Sequence, residues 1–367
     1  MKILVVNTTP SRRNGITNVA LNLIKSFDKQ GVEFGYVSIS DMAKEIEAYL
    51  KEAGVRVYVV KRSIKRPITY IKQLAKIANG YDIVYVHGNS ATMVLEMIAA
   101  KIAGVNVMAA HSHNTSCSMK KIDACSRPLF HALCNLRLAC GKEAGKWLYG
   151  KRDFNIINNG IDCRRFIYNE NIRNEVRKDL GWSDNFIIAN VANFVAAKNH
   201  EFLINTFAGI HDKKSNVRLL LLGAGPLMDD AIAQTKEMGV YDCVKFIGNV
   251  PNIETYLQSI DLIVMPSKFE GLPLTLIEEQ ANGLSAVVSD TITKDVDITG
   301  NIKFLPLGKG AEFWSSYIVS MIENGIERGE IISNESIKKI KDAGYDISTS
   351  SKKLKELFLE KLNEYHS

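Results

Sequence analysis

Glu270 and Glu278 bracket the most chemically loaded stretch of the sequence, Phe-Glu-Gly-Leu-Pro-Leu-Thr-Leu-Ile-Glu-Glu-Gln over residues 269–280. An apolar run, residues 262–266, precedes it; Gly271 opens a loop, and Pro273 suits the first turn of a following helix. Backbone N–H groups at such a helix start, with the positive end of its dipole, favour a bound phosphate. Glu270 then sits on the loop and Glu278 about one and a half turns into the helix. Two carboxylates facing one cleft accept hydroxyl hydrogen bonds at both ends of an elongated ligand. A sugar nucleotide offers such hydroxyls, ribose at one end and hexose at the other.

Other reactive residue types lie far away in the chain. Lys198 falls in a glycine-free loop pattern, Val-Ala-Asn-Phe-Val-Ala-Ala-Lys, that follows a β-rich run. His111 and His113 are two apart on a strand and so point to the same side, while His87 closes a neighbouring strand pattern. Asp295-Val-Asp297 has the spacing of a metal-binding Asp-x-Asp pair, but it lies in a polar loop and no metal role is expected. The six cysteines, Cys117, Cys125, Cys134, Cys140, Cys163 and Cys243, form no C-x-x-C pair and read as reduced thiols. The group from Cys117 to Cys140, even with His111 and His113, is not read as a metal site.

The elements that must position these residues alternate between short β-rich runs and segments of helical period, the pattern of parallel α/β architecture. In the first half the expected strands are residues 2–7, 34–39, 55–60, 83–87, 106–113, 136–140 and 155–158, with helices such as 17–27 and 93–103 between them. The rhythm restarts with strands at 186–193, 218–222, 244–248, 262–266, 285–289 and 302–305. Residues 161–183 are rich in charge and asparagine and poor in strand formers. The expected organisation is therefore a first Rossmann-like domain at 1–165, a linker at 166–184, a second Rossmann-like domain at 185–345 and a terminal helix at 346–367. That helix carries Leu354, Leu357, Phe358 and Leu362 on one face. Ligands of such doubly wound domains sit at the carboxyl ends of the strands, here in the cleft between the two.

Composition agrees with this plan. Apolar residues make up 46% and charged residues 23% of 367, which excludes a disordered or collagen-like chain and leaves each half able to bury a core. No apolar run reaches the ~18–20 residues of a spanning helix, and no signal peptide is recognised, so a cytoplasmic protein is expected. The net charge of +6 is unevenly spread: residues 1–180 hold 28 basic against 15 acidic side chains, and the remainder 18 against 25. The densest basic cluster, Lys61, Arg62, Lys65 and Arg66 with Lys72 and Lys76, suits an anionic membrane surface. Nucleic-acid binding finds no support, because no basic-aromatic interleaving accompanies the charge.

The glutamate pair within "FEGLPLTLIEEQANG" resembles the donor-site motif of glycosyltransferase family 4, the retaining, nucleotide-sugar-dependent enzymes of the GT-B fold. "INNGID" (157–162), "VANFVAAKNHEFLI" (191–204), "LLLLGAGP" (219–226), "VKFIGNV" (244–250) and "AHSHN" (110–114) resemble further family segments in the family's order. The last is in the manner of exopolysaccharide and capsule transferases. The resemblance implies that the terminal helix crosses back onto the first domain, which takes the acceptor. It also implies that Glu278 binds the ribose hydroxyls, that Glu270 contacts the donor sugar, and that Gly271, Leu272, Pro273 and Leu274 hold sugar and phosphate by backbone groups. The resemblance further implies that Lys198 neutralises the diphosphate leaving group, where a fixed cation stabilises developing charge. By the same resemblance Gly15 matches a glycine loop near the phosphates, and Gly248 is expected near the base.

His113 is implied near the donor sugar, with His111 second and His87 structural or on the acceptor side. The family places an arginine about where this chain has Asn193; Arg12, Arg13 or another cation is expected to substitute. The function implied is transfer of a hexose-type sugar from a nucleoside-diphosphate sugar, with UDP expected, to a glycan or lipid-linked saccharide in surface-polysaccharide synthesis. Peripheral membrane contact is expected, and neither a cofactor nor a metal. The alternatives are a nucleotide-sugar 2-epimerase-like enzyme and a non-catalytic nucleotide-sugar-binding protein.

Overall fold

A computed structural model describes residues 1–12, 15–63 and 66–366, so Arg13 and Lys65 lie outside the described residues. The chain forms two compact units, one of Met1–Gly160 with Gly344–Ser367, the other of Ile161–Ala343.

The first unit is built on a seven-stranded parallel sheet of β1 (Lys2–Asn7), β2 (Glu33–Ser38), β3 (Arg56–Val59), β4 (Ile83–Gly88), β5 (Val107–Ser112), β6 (Leu136–Ala139) and β7 (Asn155–Ile156). Its order is β3-β2-β1-β4-β5-β6-β7, so the winding reverses between β1 and β4. Strict alternation sends Leu4, Val6, Val84 and Val86 to one buried face. It sends Ile3, Val5, Ile83 and Tyr85 to the other. Burial on both faces is what near-continuous apolar strands require.

The terminal helix, Ile347–His366, belongs to this unit. Leu354 and Phe358 are buried in the second face's core, and Leu357 and Leu362 pack partly against it. The Phe358 ring meets Tyr85 edge-on at 5.4 Å, and Lys355 pairs with Asp28 at 2.7 Å.

The second unit holds a six-stranded parallel sheet of β8 (Phe186–Val191), β9 (Val217–Leu222), β10 (Val244–Gly248), β11 (Leu262–Met265), β12 (Ser285–Ser289) and β13 (Ile302–Leu305). Its order, β10-β9-β8-β11-β12-β13, reverses between β8 and β11.

The segment expected as a linker, 166–184, is instead a structural part of this unit. It contains the helix Glu170–Leu180, capped by the Asn169 side chain at one end and by left-handed Gly181 at the other. Arg173 and Arg177 both pair with Asp261, and Arg177 also donates to the Ser259 carbonyl at 3.0 Å. The helix packs through these paired charges together with Val176 and Leu180, buried one turn apart, and with so few apolar positions its sequence reads as a solvated connection. The boundary between the units falls at Gly160/Ile161, not at 165/166. Among the described residues no helix is long and apolar enough to cross a membrane.

Candidate functional site

Each sheet places its chemically capable side chains at the carboxyl ends of the strands beside its winding reversal, where doubly wound sheets bind ligands. In the second unit the loop after β8 carries Asn193 and Lys198, and the loop after β11 carries Glu270 and Gly271. The two loops are tied together: the Lys268 N–H donates to the Ala197 carbonyl at 2.7 Å, and the Asn199 amide donates to the Pro266 carbonyl at 3.1 Å. Asn199 holds this position with φ of 59°, a left-handed conformation that asparagine tolerates. Gly223 and Gly225, after β9, lie against the same β8 loop. A Cβ at Gly223 would come within 2.1 Å of the Ala192 carbonyl oxygen, and one at Gly225 within 2.5 Å of that of Phe194. Backbone so close to backbone requires glycine at both.

The β8 loop, the ends of β9 and β10 and the helix after β11 line a cavity of about 290 Å³, with Asn193, Lys198, Gly248, Thr275 and Glu278 among its residues. A larger hollow, about 760 Å³, lies outside the β8 loop against the helices His200–His211 and Met228–Glu237, and holds neither Lys198 nor Glu278. Lys198 is ion-paired with Glu270, so two expected donor contacts are bonded to each other. Pro273 is the N-cap and the helix runs Leu274–Ala281, one residue later than a proline in the first turn implies. Gly271 is exposed, whereas Pro273 is buried.

Burial, the largest cause, pushes the Glu278 carboxyl up to about 7, with Arg165 pulling it down and Glu254 pushing it up. Arg165 donates to Glu254 at 2.8 Å, and this pair had no signal in the sequence, since its members are 89 residues apart. Glu279 was equally hidden. It is buried, neither carboxylate oxygen has a partner among the described residues, and burial followed by Glu278 raises its pKa well above the ordinary value. Asn193 is exposed. Asp295-Val-Asp297 builds a turn: Asp297 accepts from the Gly300 N–H at 2.9 Å.

In the first unit, register pairs His87 of β4 directly with His111 of β5, and His113 follows the end of β5. The three rings form one cluster, with His111 and His113 centroids 4.2 Å apart and His87 and His113 5.1 Å apart. His87 and His111 are sealed from solvent and His113 is half-buried. Burial drives all three pKa values down, that of His113 to about 3, so the rings are neutral. Tyr85 Oη lies 2.6 Å from His111 Nδ1, and His87 Nδ1 lies 2.9 Å from His113 Nε2.

Possible ligand nitrogens of this trio lie within 4.8 Å of one another, the one such cluster among the described residues. The His87 and His113 nitrogens nevertheless face each other, as a hydrogen bond requires, rather than converging on a third point. Gly15 starts the helix Gly15–Ser26, and a Cβ there would meet no protein atom within 4 Å. Arg12 is exposed. Arg62, read as part of a basic cluster facing an anionic membrane surface, instead turns inward to Glu96 at 2.7 Å, because Glu96 is fully buried and needs a counter-charge.

Over residues 172–339 the chain matches the family described as Glycosyl transferases group 1. It is 30% identical over 351 residues to the glycosyltransferase EpsF of Bacillus subtilis (strain 168), spanning 91% of this chain and 90% of that protein. It is 28% identical over 244 residues, 62% of each chain, to the UDP-Gal:alpha-D-GlcNAc-diphosphoundecaprenol alpha-1,3-galactosyltransferase of Escherichia coli. Among solved structures, Anabaena HepE in complex with UDP shares the fold with a TM-score of 0.80 at 19% identity, covering 98% of this chain and 100% of that one.

Proposed function

Because the chain belongs to the group 1 glycosyl transferases and has the GT-B fold, we propose that it moves a hexose-type sugar from a UDP-sugar to a saccharide or lipid-linked saccharide, with retention of anomeric configuration, in surface-polysaccharide synthesis. The observation that carries this reading is the cavity at the β8/β11 reversal, which gathers Lys198, Gly248 and Glu278. Support for the nucleotide comes from the UDP in HepE, and support for the acceptor class from the diphosphoundecaprenol in the name of the E. coli relative.

Glu278 accepts from the ribose hydroxyls, and Gly248 borders the base. Glu270, with the backbone of Gly271, Leu272, Pro273 and Leu274, holds the sugar and phosphate. Gly15 and Arg12 serve the phosphates, His113 acts on the reacting sugar, and His111 supports it. Lys198 exchanges its bond to Glu270 for the diphosphate, whose charge grows as the glycosidic bond breaks. The lysine and the N-terminus of the helix Leu274–Ala281 supply the leaving-group stabilisation, so this reading requires no metal.

The protein works in the cytoplasm at the inner face of the membrane. Exposed Lys72 and Lys76 on the helix Pro67–Ala78, with Lys61 and Arg66 beside it, meet anionic headgroups there at about 1 kcal/mol per basic residue.

A thermal-shift panel of UDP, GDP, ADP and dTDP with their common sugars tests the donor. UDP at a hundred times its dissociation constant adds about 2.7 kcal/mol, and the shift disappears in Glu278→Ala. Incubation with UDP-sugars and lipid-linked saccharides then yields an acceptor-dependent product with the donor's anomeric configuration. UDP release without any acceptor indicates epimerase-type chemistry, and inversion sinks the mechanism. Stable donor binding without turnover supports the alternative suggested by Asn193, a nucleotide-sugar-binding protein.

A further inference from the structure

We propose that the layer formed by the helices Pro67–Ala78, Val94–Ile102 and Lys120–Leu133 is a docking face that lays Ile68, Ile102, Ile122 and Leu129 into the headgroup boundary of an anionic bilayer. This face rests on the membrane contact proposed above for Lys61, Arg66, Lys72 and Lys76, and extends it to a whole layer with an apolar component. The three helices pack side by side and cover one side of the first unit's sheet, where Tyr70, Leu74, Met97 and Phe130 fill the core. Every exposed charged side chain on them is a lysine: Lys72, Lys76, Lys101, Lys120 and Lys121.

The acids of these helices, Glu96 and Asp123, both turn inward. Glu96 is sealed against Arg62 and the Tyr70 hydroxyl. Asp123 is buried, pairs with Arg127 at 2.8 Å and accepts the Ala91 N–H at 2.7 Å. No carboxylate of the three helices is therefore left outside to repel phosphate headgroups. The helices on the other side of the sheet differ: Lys44–Glu52 and Ile347–His366 expose Glu45, Glu52, Glu356, Glu360 and Glu364 among their lysines. At the margin of the basic layer the helix Lys142–Tyr149 exposes Glu143, which pairs with Lys146 at 2.9 Å.

Between the lysines stand large apolar side chains with no protein cover. Ile68 is 68% and Ile102 65% exposed, and Ile122 and Leu129, two turns apart on one face of Lys120–Leu133, are exposed as well. Four such side chains standing singly among lysines on three helices suit an interface whose binding combines buried apolar area with attraction to anionic lipid. A protein-binding groove would gather them. The loop 114–119 alone separates His113 from Lys120, so a docked layer sets the bilayer beside the strand ends to which the acceptor is assigned.

Flotation of the full chain with phosphatidylcholine vesicles containing phosphatidylglycerol, against phosphatidylcholine alone, tests the face without donor or acceptor. Binding to the anionic vesicles only is expected, and no flotation with either overturns the proposal. Lys101→Gln/Lys121→Gln should weaken binding about 25-fold, while Lys44→Gln/Lys352→Gln, on the opposite layer, should leave it unchanged. Equal losses mean that net charge rather than this face binds, and they overturn it. Ile122→Ser/Leu129→Ser should lose about tenfold with charge unchanged. Brominated lipid should quench the indole of Leu129→Trp and spare that of Leu359→Trp on the terminal helix, read as differences from the parent. Quenching of neither, or the reverse pattern, removes the insertion. If the chain self-associates through this layer in sedimentation velocity instead of floating, a second copy is the occupant and the proposal falls. Docking without any sugar transfer leaves the face standing and sinks the transferase reading.

Discussion

At the scale of single residues, Lys198 lines the cavity of the second unit and is ion-paired with Glu270. Lys198→Ala is expected to lower kcat about 10²–10³-fold with a smaller change in donor KM, as steady-state kinetics will show, because its charge matters most as the leaving group departs. Glu278 makes a pH-dependent statement. Burial holds its pKa near 7 against 4.5 ordinarily, so between those values the folded chain keeps a proton that the unfolded chain has lost. Stability from this group therefore falls as pH rises through that window. Glu278→Gln should melt higher than the parent at pH 8, with the difference closing as pH drops toward 4.5 in a series of thermal melts. The glutamate pair, Lys198 and the histidines were legible because their types and spacing follow the chain. Arg165 and Glu254 were not, since their proximity to Glu278 depends on where distant loops meet, and neither was the burial of Glu279, which depends on the helix face turned to the core.

At the scale of elements, two buried carboxyl groups behave oppositely. Glu279, on the helix Leu274–Ala281, has no partner for either oxygen among the described residues. Glu279→Met keeps length and helix propensity and should stabilise the second unit by about 1–3 kcal/mol, measured by urea denaturation. Glu96, on the helix Val94–Ile102, is satisfied by Arg62 and by the Tyr70 hydroxyl at 2.7 Å. Glu96→Ala strands the Arg62 guanidinium and should cost about 3–5 kcal/mol in the same measurement. The strands were readable to within one or two residues, because burial on both faces leaves apolar runs that no helix of similar length mimics. The helix Glu170–Leu180 reads as a linker because only Val176 and Leu180 bury apolar side chains along it, and the rest of its packing runs through arginine pairs with Asp261.

At the scale of the whole molecule, the first unit is completed by the last residues of the chain. Phe358 is buried in the core against Tyr85 of β4 and Phe27, so Phe358→Ala should cost that unit about 3–5 kcal/mol. Hydrogen exchange will report the loss in amides of β1, β4 and β5, while those of β8 and β11 keep their protection. By itself, the sequence determined two parallel α/β series, the strand positions and the residues worth suspecting, because hydrophobic period and residue type are local properties. Only the tertiary structure decided strand order, and with it the reversal that brings the β8 loop and the helix after β11 to one cavity. It alone aligned His87 with His113 nitrogen to nitrogen and left Glu279 without a partner. Those outcomes depend on register and on which loops share a sheet edge, and neither is written in the spacing of any one segment.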